Sequence, residues 1–295
     1  MKLYKVTLQL KSPFVTPLKG DTIWGHIVWG IANHEGDGAV KDFIDACKTK
    51  EPALAVSSAF PGGAICRPIP SVKPREKSMT PEKYAEIKNS KKLIYADASA
   101  FFENQKSGCD ENNLKNPFEI TSVTHNSINR FLNTVSDGSL YAVSEVWSKT
   151  SLFDIYIASS YDAKRIKQLC VWAFENGFGA DSSVGKGVIS VLDEVAQVQT
   201  KYKTRTYMAL APFVFSKNSP ISDLRADTFV RNGKIGGGFS SVLTPWKKTV
   251  VLFNEGAVFT SENPINIVGE LLTDVHSDPR ICQSGFAPVI PICEE

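Results

Sequence analysis

The sequence predicts an α+β fold made of two tandem ferredoxin-like (RRM-like) domains, and three observations lead to this expectation. The 295 residues include 42% hydrophobic and 22% charged residues, an ordinary globular composition. Strand patterns alternate with two helical patterns up to about residue 200, and strand patterns dominate after it. We therefore expect an N-terminal domain at residues 1–200 and a smaller C-terminal one at residues 201–295.

The chain opens with a strand followed by a helix. Apolar and polar residues alternate from Leu3 to Leu10, which is the pattern of a half-buried strand. Asp21 then follows a run of turn residues and can cap a helix in which Ile23, Ile27 and Ile31 recur at helical spacing. These two elements begin a split βαβ unit.

Residues 61–118 interrupt this unit, and we interpret them as a long insertion that projects from the core. Five prolines between residues 61 and 81 break regular structure, and residues 107–116 have the composition of a polar loop. Residues 73–92 carry seven cations against three carboxylates, and clustered cations attract phosphate. The candidates for RNA binding in this stretch are Lys73, Arg75, Lys91 and Lys92.

The core pattern resumes after the insertion. Apolar and β-branched residues predict strands at residues 120–123 and 140–157, a helix spans residues 162–176, and a strand follows at residues 188–198. The order strand, helix, strand, strand, helix, strand is the ferredoxin-like one. In the C-terminal part we expect a strand at residues 207–215, a hairpin around Glu255 and Gly256, and a short helix at residues 265–273.

A glycine-rich loop connects the second helix to the following strand at residues 177–187. Its four glycines can expose backbone amides to phosphate, and serine and lysine side chains add donors and charge. It is not a nucleotide-binding P-loop, because a glycine replaces the magnesium-binding Ser or Thr and because the loop runs from helix to strand. A tight connection that needs glycines is the alternative. The RNA-binding candidates are Gly179, Ser182, Ser183, Gly185, Lys186 and Gly187.

Further RNA-binding candidates lie outside this loop, each with a plainer alternative. His26 on the first helix is explained slightly better as a helix histidine with satisfied hydrogen bonds than as an RNA contact. The cluster from His125 to Arg130 offers hydrogen-bonding groups and a bidentate guanidinium, or else a capped turn. The basic track of the C-terminal part binds a phosphate backbone or an acidic patch of a neighbouring subunit. The candidates are Lys19, Gly20, Asp21, His26, His125, Asn129, Arg130, Arg231 and Lys234.

Cysteine use and hydropathy limit the compartment. The six cysteines are widely spaced and form no Cys-x-x-Cys pair, so disulfides and a structural zinc site are not expected. No stretch approaches the roughly 20 apolar residues of a membrane helix. We expect a protein of the reducing cytoplasm, without membrane contact, cofactor or metal.

Several segments resemble a known family. The glycine-rich loop and the tandem ferredoxin-like order are similar to the repeat-associated mysterious proteins (RAMP) of CRISPR systems. The run from Ser12 to His26 resembles the fourth-subunit family of type III-A Csm complexes, in the Cas-five group of RAMP. Further similar segments follow in the expected order, at residues 58–62, 125–141, 233–238 and 255–259. The resemblance covers nearly the whole chain.

The resemblance implies a non-catalytic subunit that grips the repeat-derived 5′ handle of the CRISPR guide RNA. It also implies docking on the large Cas-ten subunit and on a neighbouring backbone RAMP subunit, and a thumb-like insertion that lies across the RNA. Two alternatives remain. A metal-independent RAMP endoribonuclease would use His26 or His125 with Lys186 to process guide precursors. A purely protein-binding scaffold would use the glycine loop only structurally.

Overall fold

The structure, a computed structural model, is a mixed α+β protein built mainly of strands with few helices. It describes residues 1–49, 51–71, 80–90, 92–103, 114–135, 138–215, 221–236 and 244–293. The helices are α1 (Gly20–Cys47), α2 (Pro81–Ser90) and α3 (Ala163–Phe174). None of the helices in these ranges combines the length and apolar character that crossing a membrane requires.

The strands up to residue 200 form one main sheet and several short pairs. They are β1 (Lys2–Leu10), β2 (Leu54–Val56), β3 (Phe60–Pro61), β4 (Ala64–Cys66), β5 (Tyr95–Asp97), β6 (Phe118–His125), β7 (Ile128–Asn129), β8 (Thr134–Val135), β9 (Tyr141–Ser148), β10 (Leu152–Ser159) and β11 (Ile189–Val198).

The main sheet has the order β11-β1-β10-β2, and β3 also pairs with β10. All of its pairs are antiparallel, with Val6 opposite Ile155 and Val195 at its centre. In β1, Tyr4, Val6 and Leu8 are buried, as the alternation predicts. Helices α1 and α3 supply the other side of this core.

Helix α1 begins differently from the prediction. Its N-cap residue is Lys19, no side chain caps the first turn, and Asp21 lies within that turn. Asp21 is buried and its carboxylate accepts a hydrogen bond from Arg231, which removes it from a capping role. Gly36, at φ 82° and ψ 179°, kinks the helix.

Helix α3 follows its prediction closely. The Asp162 carboxylate accepts from the Arg165 amide at 2.8 Å, a standard N-cap contact. Gly177 follows the helix at φ 78°, in the left-handed region that favours glycine.

The predicted insertion does not project as a whole. Strands β4 and β5 pair with each other, and Ile65, Cys66, Ala98 and Phe102 are buried in a cluster shared with the C-terminal half. Pro81 begins helix α2 rather than breaking structure, because the first turn of a helix tolerates proline. Both ends of this stretch therefore belong to the core.

Residues 118–135 and 138–148 form a two-stranded ribbon instead of the predicted core strands. Strand β6 pairs with β9 from Phe118 opposite Ser148 to His125 opposite Tyr141, and β7 pairs with β8 near the tip. The β-branched pattern predicted the strands correctly, but Ile120 is 76% exposed because no other described strand covers that face. At the base of the ribbon, Phe118 packs edge-on against Phe14 and joins the core.

The described residues of the C-terminal half form sheets without a helix. The strands are β12 (Thr206–Ala209), β13 (Ile221–Arg225), β14 (Thr228–Arg231), β15 (Val250–Phe253), β16 (Val258–Ser261), β17 (Ile267–Leu272) and β18 (Gln283–Pro291). The five-stranded sheet has the order β13-β16-β12-β18-β17, and β14 pairs with β15.

Two predictions for this half were wrong. Residues 267–272 form strand β17 rather than a helix, because the long buried strand β18 offers them six paired positions. Strands β15 and β16 exist but do not form a hairpin, since β15 pairs with β14 and β16 pairs with β12 and β13. Local pattern identified segments here but not their partners.

Candidate nucleic-acid interface

A wide cleft of about 2390 Å³ lies between the two halves of the molecule. Helix α1 and the glycine loop line one wall, and β17 with residues 231–236 and 246–247 lines the other. Side chains of both charge signs face it; the lining cations are Lys41, Lys48, Arg231, Lys234, Lys247 and Arg280.

The glycine loop is held in a fixed shape by its own backbone. Gly187 and Phe178 are joined by a hydrogen bond from the Phe178 amide to the Gly187 carbonyl at 2.9 Å, and the Gly187 amide donates to Pro13 at 2.8 Å. Gly187 has φ 64°, and a Cβ there would collide with the Phe178 carbonyl oxygen. The Phe178 ring is buried and packs against His26, with the ring centroids 4.6 Å apart and the ring planes tilted by 31°.

Two side chains fix the next residues of the loop. The Gly179 amide donates to His26 Nε2 at 3.2 Å, and the Ala180 amide donates to Thr16 Oγ1 at 2.9 Å. Burial lowers the pKa of His26, so the neutral imidazole that accepts this hydrogen bond is favoured. The satisfied-histidine interpretation of His26 describes its position, and Thr16 is a contributor that sequence reasoning did not single out.

The amides available for a ligand are therefore fewer than the glycine count suggests. Residues 184, 185 and 186 donate within the loop, whereas the amides of Asp181, Ser182 and Ser183 make no hydrogen bond to another described residue. Of the predicted loop candidates, Gly179 and Ser182 line the cleft.

Lys186 is engaged inside the protein. Its Nζ lies 2.5 Å from Glu145 Oε1, and the Glu145 side chain is 2% exposed. Because Glu145 belongs to β9, this ion pair joins the glycine loop to the ribbon. Sequence reasoning missed Glu145, since a single carboxylate 41 positions away along the chain gives no local signal.

Lys19 and Asp21 pair across the two halves. Lys19 Nζ lies 2.5 Å from Glu255 Oε1, and Arg231 donates to Asp21 at 2.7 Å. Gly20, between them, is packed so closely against the backbone of residue 56 that no Cβ fits. These four predicted candidates hold the halves together, and Asp21 and Arg231 also line the cleft.

The cluster from His125 to Arg130 lies on the ribbon, away from the residues that line the cleft. His125 stacks on Tyr141 at 5.5 Å. Asn129 accepts from the amide of Phe131 at 3.0 Å, so a side-chain-capped turn is present. Arg130 is exposed.

Among the remaining candidates, Lys234 lies at the cleft and its ammonium is 6.0 Å from the ring centroid of Trp246. Lys92 is exposed just after α2. Lys73, Arg75 and Lys91 lie outside the described residues.

Comparison with known proteins rests on structure. No family model matches the sequence, and no curated protein matches it. A Csm1-Csm4 cassette in complex with pppApA matches with a TM-score of 0.58 and 16% identity over 99% of each chain. A Csm1-Csm4 cassette in complex with cA4 matches with a TM-score of 0.59 and 15% identity, again over 99% of each chain.

A Csm3-Csm4 subcomplex of a type III-A CRISPR-Cas interference complex matches with a TM-score of 0.56 and 14% identity, over 99% of this chain and 100% of that one. The component common to these assemblies is Csm4. This chain has a Csm4-like fold. These matches confirm, for the fold, the resemblance that the sequence indicated. Function has to be argued from the site, which in this chain is the cleft between the two halves.

Proposed function

We propose that this chain is a non-catalytic RNA-binding subunit of a type III-A CRISPR interference complex, in which it grips the repeat-derived 5′ handle of the guide RNA. The observation that carries the proposal is the open cleft between the two halves, lined by the glycine loop, in a chain with a Csm4-like fold. Its volume of about 2390 Å³ exceeds the roughly 300–1,000 Å³ of a small-molecule site, which favours an extended strand over a compact metabolite.

The lining has the chemistry that single-stranded RNA needs. Lys41 of α1 and Lys48, which follows the helix and lies 2.8 Å from Asp45, are exposed on one wall and Lys234 on the other, where they can neutralise phosphates. The free amide of Ser182 adds a donor for a phosphate oxygen. The exposed ring of Trp246 also lines the cleft, and aromatic rings stack on unpaired bases.

We propose further that the ribbon at residues 118–148 forms the thumb-like element together with the neighbouring insertion. The Lys186–Glu145 ion pair fixes the base of this ribbon beside the glycine loop, and Arg130 lies exposed near its tip. This arrangement supports a ribbon that reaches across RNA leaving the cleft. The order β1, α1, β2, β10, α3, β11 agrees with a ferredoxin-like first domain.

The proposal includes two protein partners, the large Cas-ten subunit and a neighbouring backbone RAMP subunit. The similar solved chains occur in assemblies with Csm1 and with Csm3, which supports subunits of these two kinds. A cytoplasmic location and the absence of catalysis remain part of the proposal.

The handle-binding function is tested by measuring the affinity of the purified chain for single-stranded repeat RNA against salt concentration. We expect log K to fall linearly with log salt, and Lys234→Glu to weaken binding and flatten the slope. Lys167→Glu is the matched control, because this α3 lysine does not line the cleft. Identical slopes for the chain with and without Lys234→Glu would count against a cleft that binds RNA.

The two alternatives give different results. Incubation with a repeat-containing precursor and EDTA should leave the RNA intact, whereas site-specific cleavage would establish the endoribonuclease. If the chain shows no salt-dependent RNA binding but captures its partner subunits, the scaffold is correct. Sequencing the 5′ ends of RNA that co-purifies with the chain identifies the handle.

A further inference from the structure

Trp246 differs from the other tryptophans of the cleft in its exposure. Trp24 is 2% exposed and belongs to the core. Trp172 is covered by His34, stacked at 4.4 Å, and by the Arg165 guanidinium at 5.2 Å. Trp29 lies against the backbone of Gly236, where an added Cβ would come within 2.9 Å of its Nε1. Trp246 is 61% exposed.

The backbone around Trp246 is well fixed, so its exposure is not that of a loose loop. Lys234 and Trp246 form a bridge pair, the Ile235 amide donates to Pro245 at 2.8 Å, and the Lys247 amide donates to Gly233 at 2.8 Å. Ile235 is buried and anchors this segment. The Lys247 side chain turns inward and donates to the Cys282 carbonyl at 2.8 Å.

A cation accompanies the exposed ring. The Lys234 ammonium lies 6.0 Å from the Trp246 centroid, within the range of a cation–π contact. An aromatic plane with a neighbouring cation matches the two parts of a nucleotide, since the base stacks on the ring and the phosphate pairs with the ammonium. A protein partner that buried Trp246 would need apolar residues around the ring, whereas the nearby Asn232 and Lys234 are polar and exposed.

We propose that Trp246 and Lys234 form a nucleotide-binding subsite at the cleft, in which one unpaired base stacks on the indole and its phosphate contacts the ammonium. This subsite rests on the proposed RNA-binding function and specifies where a base is held. Stacking accepts every base and favours purines, because their rings overlap a larger area of the indole. The subsite therefore contributes affinity with little sequence discrimination.

The test is a fluorescence-anisotropy titration of the full chain with labelled oligoadenosine and oligouridine of about 12 nucleotides, a length suited to one single-strand groove. Trp246→Ala should weaken oligoadenosine binding about 5- to 150-fold, the loss expected for one stacked base, without changing the salt slope. Trp246→Phe should restore most of the affinity. Lys234→Ala should instead lower the slope by about 0.7, one phosphate contact.

Phe215→Ala is the matched control, since Phe215 is also an exposed aromatic residue but lies outside both the cleft lining and the ribbon. An oligomer of abasic ribose phosphates should bind the unchanged chain and Trp246→Ala equally. Salt-dependent binding that Trp246→Ala leaves intact would overturn the subsite and spare the proposed function. Failure of the unchanged chain to bind any oligomer would overturn both.

Discussion

The two walls of the cleft use their polar groups in opposite ways. On the glycine-loop wall, Lys186 is paired with Glu145 and the amides of Gly179 and Gly187 are bonded within the protein. On the facing wall, Lys234 and Trp246 are exposed beside the cleft. The contacts of the glycine loop hold its shape, whereas Lys234 and Trp246 are the groups that we propose bind a ligand, so substitutions in the loop should cost stability and substitutions at Lys234 and Trp246 should cost affinity.

Gly187→Ala should give the largest loss of stability among the variants. A smaller loss than for the other variants would contradict a glycine loop that holds its shape by packing. The new Cβ would meet the Phe178 carbonyl in a left-handed backbone, so we expect the free energy of unfolding to fall by about 4 kcal/mol, combining backbone strain with overpacking. Urea denaturation followed by circular dichroism measures it.

Gly185→Ala is the control for this change. Gly185 has φ 89°, but nothing lies within 4 Å of an added Cβ, so only the backbone strain of about 1 kcal/mol remains. Equal losses for the two variants would show that the loop is not packed as described.

Lys186→Ala should come second, with a loss of about 3 kcal/mol, because it leaves the Glu145 carboxylate buried without its counter-charge. Glu145→Gln combined with Lys186→Met should recover much of this loss, since neither buried charge then remains. Thermal and urea unfolding of the single and double variants measure the coupling.

Lys149→Ala is the comparison for that pair, since Lys149 and Glu119 are both about two-thirds exposed, and the unfolding midpoint should hardly move. If Lys186→Ala kept full stability but flattened the dependence of RNA affinity on salt, Lys186 would be a group that binds RNA instead of one that holds the loop.

The pH dependence of stability through His26 is the smallest effect that we expect. Burial lowers its folded-state pKa below 6.5, so the unfolded chain binds more protons as the pH falls. The stability that depends on neutral His26 is therefore complete above pH 6.5 and is lost as the pH falls from there towards the folded-state pKa. Unfolding free energies measured between pH 5 and 8 test this.

His26→Gln should flatten that part of the profile, because a glutamine oxygen accepts from the Gly179 amide without titrating. His34→Gln is the matched control, since His34 is more exposed and pairs with Glu175 at the surface. If both variants keep the slope of the unchanged chain, His26 does not link the loop to pH.

The sequence predicted elements better than their partners. The alternation in Leu3–Leu10 and the stripe of α3 identified a buried strand and a capped helix, because burial imposes its period locally. Residues 267–272 were predicted as a helix, and the ribbon strands β6 and β9 were assigned to the core, since which strand pairs with which is decided by residues far away in the chain. The core ends of the predicted insertion were missed for the same reason.

The candidate site divides along the same line. The glycine loop was recognisable from the sequence, because several left-handed residues in one connection require glycine, and the structure shows that it lies at the cleft. The sequence did not predict which candidate lysines are engaged in ion pairs. Glu145 pairs with Lys186 and Glu255 with Lys19 only because the tertiary fold brings them together. The resemblance to RAMP proteins pointed to the fold, whereas the roles of the single lysines follow from their contacts.

Strand β18 links the closing of the cleft to chain synthesis. It lies between β12 and β17 in its sheet, its first residue Gln283 lines the cleft, and it packs on helix α1 from the other half. The two walls can therefore face each other only after residues 283–291 have been synthesised. The RNA binding that we propose is then a step that follows synthesis of β18.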